Sequence, residues 1–217
     1  METRGRSGGL SRPVLIDAAR RLLTEVGLDG LTVRRLAAEL GVQSPALYWH
    51  VRTKQELLDG VADAIVLSAG MGPPRPGEGW RAWLRRRARA YRAALLAHRD
   101  GARIVANARL GPETLRRLDQ ELAAMVEHGF SPALALRTIT AITHYINGSV
   151  LQQQSPRPEP AEPPADPLAA LGALLDDPDA TLVVALRETG ANADEAFEHG
   201  LTALLDGTAA ALAAATR

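Results

Sequence analysis

Tyr48, Trp49 and His50 stand side by side in a short segment whose inward positions, by helical spacing, are Leu47 and Val51. That leaves Ala46, Tyr48, Trp49 and His50 on faces turned outward or sideways, and large rings kept out of a core need a reason other than packing. The surrounding stretch, Leu31 to Leu58, supplies one. Thr32 is placed to cap a first short helix, in which Val33, Leu36, Ala37 and Leu40 recur at three and four residues. Gly41 then turns the chain, and Ser44 and Pro45 restart it as cap and first helical residue. Two helices joined by a short glycine turn form the unit that sets its second helix in the DNA major groove. Double-stranded DNA is therefore the first partner this stretch predicts.

A second feature is a charge out of place. Arg87 sits in an apolar stripe between Leu84 and Tyr91, at spacings of three and four, where a cation must find a partner or snorkel to water. Arg81, Arg85, Arg89 and Arg92 read as the solvated face of the same helix. His144 and Glu121 are the candidates for acid–base chemistry, and no nucleophile or metal motif accompanies them, so an enzyme is not expected. The 217 residues contain no cysteine, which removes disulfides and thiolate metal sites. Basic and acidic residues balance at 25 each, so contact with nucleic acid must come from a local patch. No apolar run approaches the roughly 20 residues of a membrane span, and the start METRGRSGG lacks the apolar core of a signal peptide. The expected location is the cytoplasm, with no membrane partner.

The elements that position these groups are helical throughout. Residues 1–10 read as a mobile arm. Ser11 caps a helix with Leu15, Ala18, Ala19, Leu22, Leu23 and Val26 inward, and Gly27 stops it. Thr53 and Glu56 form a capping box for a connecting helix that runs to about Ser68. The breaker cluster at 70–79 marks a joint, and a helix follows from Trp80 to about His98. A short apolar segment spans 102–108. A further helix spans 112–128, with Leu115, Leu118, Leu122 and Met125 inward, and a long one spans 133–154. The proline-rich run 155–167 reads as a mobile loop. Helices near 168–175, 180–188 and 194–214 complete an all-α chain. The division expected is an arm (1–10), a helix-turn-helix domain (11–52), a connecting helix (53–69) and a larger helical domain (70–217).

The stretch GLTVRRLAAELGVQSPALYWHVRTKQELLDGV resembles the TetR family of repressors, and LYWHV with the following LLD is similar to its tetracycline-repressor branch. WRAWLRRRARAYRAALLAHRDGA, MVEHGF, THYINGSVLQQQ and EAFEHGL extend the resemblance over most of the chain. It implies an N-terminal three-helix DNA-binding domain, a connecting helix and a C-terminal ligand-binding and dimerisation domain. It places DNA contacts on Thr32, Val33 and Arg34, on Gln43, Ser44, Pro45 and Ala46, on Tyr48, Trp49 and His50, and on Lys54. Arg34 has the fork to bond a guanine edge, Gln43 or Ser44 can bond a base, and Pro45 and Ala46 can touch a thymine methyl. Tyr48, His50 and Lys54 suit phosphates, which set register without reading sequence.

In that branch a magnesium-chelated drug is held by a histidine on the short middle segment and a glutamate on the long helix after it, positions that here are Val105 and Gln152. Another drug-contacting histidine falls on Ala69. Val105 and Ala69 cannot ligate a metal, and Gln152 is a poor substitute for a carboxylate on a hard cation, so no metal, no cofactor and no tetracycline are expected. The resemblance still puts a pocket around Arg87, Tyr91, Val105 and Arg109, with Glu121, Leu122, Met125, His144 and Gln152. Either Arg87 and Glu121 pair with each other, or Arg87 and Arg109 bind an acidic or phenolic ligand. Helices 133–154 and 194–214 are expected to pair across a two-fold axis, Gly148, Ala196 and Gly200 allowing close approach. The function this implies is a homodimeric repressor released from a near-palindromic operator by a small molecule. An activator, or a helical partner-binding protein without sequence-specific DNA binding, is the alternative.

Overall fold

Pro13 in the first turn and the apolar stripe behind it start α1 (Arg12–Gly30), which buries Leu15, Ala18, Ala19, Leu22 and Leu23. The computed structural model describes residues 10–155, 164–190 and 192–215, and these form eleven helices and no strand. The arm at 1–9 and most of the proline-rich run, 156–163, lie outside the described residues.

Gly27 breaks α1 without ending it. It takes φ +69°, a conformation that favours glycine, and the helix resumes to Gly30. α2 (Val33–Glu39) is capped as its sequence implies, the Thr32 hydroxyl accepting from the Arg35 amide at 3.2 Å. α3 (Ser44–Leu47) differs by one position: Gln43 is the cap residue, Ser44 is already helical, and no side chain caps this helix. Proline is tolerated at either of the first two helical positions because neither amide has an acceptor within the helix, so Pro45 does not fix the register by itself. In α4 (Lys54–Ser68) the Thr53 hydroxyl accepts from the Glu56 amide at 3.0 Å. The returning Glu56 carboxylate reaches past Thr53 to the Arg52 amide at 2.8 Å.

α4 packs against α1 near its start and against α5 (Trp80–Leu96) and α6 (Gly101–Ala106) further along. The 70–79 segment is tied down. The carbonyl of Gly72 accepts from the Trp83 indole at 3.0 Å, its amide donates to Glu121 at 3.1 Å, and Met71 is buried. In α7 (Pro112–Glu127) the expected stripe faces inward at Leu118, Leu122 and Met125 but not at Leu115. Leu115 is exposed and Leu118 and Leu122 are half-buried, while Thr114, Glu121, Ala124 and Met125 are buried. The polar side chains go inside because each has a partner there: Thr114 donates to Asp63, and Glu121 accepts from Gly72 and Arg87.

α8 (Pro132–Gln154) runs through the centre of the larger domain, with α5, α6, α7 and α11 (Ala193–Ala215) around it. The arginine face of α5 is not solvated as a whole but holds α11. Arg81 pairs with Asp206, Arg85 donates to Thr202, Arg89 forks onto Glu198, and Arg92 meets Asp194 at 2.6 Å while its guanidinium lies 4.6 Å from the centre of the Phe197 ring. α11 supplies acidic groups at matching helical spacing, so the arginines find counter-charges there. Gly200 and Ala196 serve the same intrachain junction. The Tyr145 hydroxyl donates to the carbonyls of Ala196 and Phe197, and a Cβ on Gly200 would sit 2.2 Å from it. Gly148 has nothing within 4 Å of its Cβ position. α9 (Pro167–Leu174) and α10 (Thr181–Thr189) pack on each other.

Candidate DNA-reading face and ligand cavity

The turn that follows α3 keeps the helix going by one loop of chain, the amides of His50 and Val51 both bonding the Leu47 carbonyl at 3.0 Å. Leu47 and Val51 are buried, which turns the residues between them outward. Tyr48 is 51% and Trp49 88% exposed. An indole this open costs apolar hydration, so Trp49 is not a wedge between helices.

Around these rings stand Gln43, exposed, with Ser44, Ala46 and His50 half-buried and Pro45 exposed. Arg34 on α2 is exposed and has no side-chain hydrogen bond or ion pair among the described residues, whereas neighbouring Arg35 is spent on the Gly30 carbonyl. Thr32 is exposed and uses its hydroxyl as a cap, and Val33 is half-buried. Lys54 is exposed, its amine 3.4 Å from the Leu28 carbonyl. The eleven residues thus fall on one contiguous stretch, α2 to the start of α4, with rings and cations available at its surface.

This head is tied to the larger domain by polar contacts. The Leu28 amide donates to Asp100 at 2.8 Å, and Arg103 bridges Asp29 and Asp100 at 3.0 Å each. On α4, Asp59 accepts from the Arg109 amide at 3.1 Å. One turn on, Asp63 accepts from the Gly111 amide at 2.9 Å and from the Thr114 hydroxyl. The α6–α7 connection is therefore held on α4 by two carboxylates.

On the other side of that connection lies a cavity of about 490 Å³, bounded by the end of α4 (Val66, Ala69) and by α5, α6, α7 and α8. Its walls are mostly apolar. Arg87, Tyr91, Val105 and His144 line it; Glu121, Leu122, Met125, Arg109 and Gln152 do not. Met125 and Glu121 are fully buried, Leu122 is half-buried, and Arg109 and Gln152 are exposed. Arg87, 12% exposed, donates through Nε to Glu121 at 2.8 Å, and Glu121 is 0% exposed. The out-of-place charge has found its counter-charge one helix away.

Asn147, Thr140 and Thr143 also line the cavity, beside His144 on one face of α8. Thr140 and Asn147 stand four and three residues from His144, the spacing that could have signalled them; Thr143, next to His144, carries no such signal. The Tyr91 hydroxyl donates to Asn147 Oδ1 at 3.0 Å, and burial pushes its pKa up to about 12, so it keeps its proton.

A magnesium-chelated ligand, which the resemblance brings with it, can be tested against this donor set. The lining offers one imidazole, His144, and no carboxylate. The nearest carboxylate, Glu121, has both oxygens engaged, by Gly72 and Arg87. A hard cation that wants about six oxygen ligands, carboxylates among them, is not served here, and the cavity does not fit it.

Comparison with known proteins bears on both regions. The family described as "Bacterial regulatory proteins, tetR family" matches residues 15–61, and "Tetracyclin repressor-like, C-terminal domain" matches residues 73–212. The chain is 41% identical over 203 residues to the class A tetracycline repressor protein from transposon 1721 of Escherichia coli, covering 90% of this chain and 88% of that protein. In structure it is similar to apo ActR from Streptomyces coelicolor, with a TM-score of 0.79, 29% identity, and 95% and 98% of the two chains covered. It is also similar to BioQ bound to its natural double-stranded DNA operator, with a TM-score of 0.65, 29% identity, and 93% and 99% covered.

Proposed function

Because the chain belongs to the TetR family of bacterial regulatory proteins, it is a DNA-binding regulator of transcription, and we propose that it acts as a homodimeric repressor released by a small molecule. The observation that carries this reading is the open, unspent chemistry of one face. Tyr48 and Trp49 are exposed after α3, and Arg34 is exposed on α2 with no side-chain hydrogen bond or ion pair among the described residues, while Leu36, Ala37 and Leu47 of the same helices are buried. Arg34 reaches a guanine edge, Gln43 and Ser44 reach bases, and Tyr48, His50 and Lys54 hold phosphates. A relative of this architecture is known bound to its double-stranded operator.

Two such faces, related by a two-fold axis, enter successive major grooves about 34–36 Å apart, so the operator is a near-palindrome. The solvent-facing sides of α8 and α11 pair across that axis. α4 carries the signal: it begins at the reading face and ends at the cavity, with Asp59 and Asp63 fixing its middle to the α6–α7 connection. A ligand that prefers one arrangement of this connection shifts α4 and with it the spacing of the two faces, by no more than its differential affinity for the two states.

The test is a gel shift on a near-palindromic duplex selected by the protein from random DNA. Arg34→Ala with Tyr48→Ala is expected to lower affinity at least tenfold, from the loss of about 1–3 kcal/mol at the base contact alone, with the helical content unchanged. Retention at wild-type affinity by the folded double variant would refute the assignment of this face.

A further inference from the structure

The cavity has donors to offer, and the one arginine in its lining, Arg87, is paired. Arg87 spends Nε on Glu121, and its two terminal amino groups have no protein partner among the described residues. Asn147 spends Oδ1 on the Tyr91 hydroxyl, so its Nδ2 amine is the group left for anything entering. Arg87 on α5 and Asn147 on α8 thus set two hydrogen-bond donors on separate walls of a largely apolar space, which Thr140, Thr143 and His144 also line. Arg109, the second cation that could have drawn in an acid, is exposed and lies outside the lining.

Glu121 cannot step aside. It is fully buried, and its other oxygen accepts from the Gly72 amide. An anionic ligand on Arg87 would therefore share that guanidinium with a buried carboxylate, which is costly. A neutral ligand with carbonyl-type acceptors meets both donors and leaves the Arg87–Glu121 pair balanced. The volume lies within the range that holds a drug-sized molecule.

We propose that this cavity takes an uncharged, largely apolar molecule bearing two carbonyl-type acceptors, bound through Arg87 and Asn147 without a divalent cation. Its role as the releasing ligand rests on the reading of the chain as a repressor.

The experiment is a calorimetric titration of the full chain with methyl anthraquinone-2-carboxylate and with the free anthraquinone-2-carboxylate, each in EDTA and in magnesium. The ester should bind at least tenfold more tightly than the acid, with the same affinity in both buffers. Asn147→Ala should weaken the ester at least tenfold. So should Arg87→Met made together with Glu121→Gln, a pair chosen so that no carboxylate is left buried alone. Tighter or equal binding of the acid, a need for magnesium, or no binding of the ester each overturns the proposal. Operator retention is measured on the same unliganded samples. Ester binding without operator retention keeps the cavity assignment and removes the repressor reading; the reverse removes the cavity assignment alone.

Discussion

At the scale of single residues, Gly101 is the glycine pressed closest against backbone. A Cβ there would lie 2.3 Å from the Leu95 carbonyl oxygen, which is backbone and cannot rotate away. Gly101→Ala must push the start of α6 off the end of α5, next to Val105 and the cavity, and overpacking of this kind costs about 1–3 kcal/mol. Urea denaturation should show that loss, while Gly79→Ala, with nothing within 4 Å of its Cβ, should leave the midpoint in place. Equal midpoints for the two variants would mean the backbone there gives way freely. Arg87 shows what a sequence can and cannot say at this scale. That a cation inside an apolar stripe needs a partner follows from desolvation alone. That the partner is Glu121 and not a ligand follows only from where α7 docks, and with it the neutrality of the cavity.

At the scale of elements, helical periodicity marked out the helices well and their faces less well. Residues of α2, α4 and α8 took their places because capping chemistry and the apolar period agree there. α7 departed at Leu115 and took in Thr114 and Glu121, which Asp63 and Arg87 partner, and no pattern along one helix reveals a charge on another. α5 departed for the same reason, since its arginines look solvated until α11 brings Asp194, Glu198 and Asp206 alongside. The Asp63 contacts are the most consequential of these cross-element ties. Removing the carboxylate with Asp63→Ala leaves the Gly111 amide and Thr114 hydroxyl without acceptors, and hydrogen bonds to a charged group contribute about 1.5–3 kcal/mol. The variant should lose about that much stability to urea, with faster amide exchange at Gly111 than at Leu36 of the reading head. Uniform exchange rates across both sites would argue that Asp63 stabilises the whole and does not specifically hold the α6–α7 connection.

At the scale of the whole molecule, the free faces of α8 and α11 decide how two reading heads come to one operator. Gly200 and Ala196 cannot serve that purpose, because Tyr145 of the same chain already fills the space beside them. Gly148 and Gly207 remain open, with nothing within 4 Å of either Cβ position, on long helices where glycine costs about 1 kcal/mol against alanine. A second chain passing close to these backbones gives that cost a purpose, and in a two-fold interface each substitution is met twice. A Cβ at Gly148 meets nothing within 4 Å in the isolated chain, and Gly148→Arg would set two cations into the interface. Sedimentation at micromolar concentration should show the wild type at twice the chain mass and the variant at the mass of one chain, with unchanged helical content. The variant should also lose operator retention although every residue of its reading face is intact, since one head binds one half-site. A variant that stays dimeric would place the two-fold contact elsewhere on the molecule.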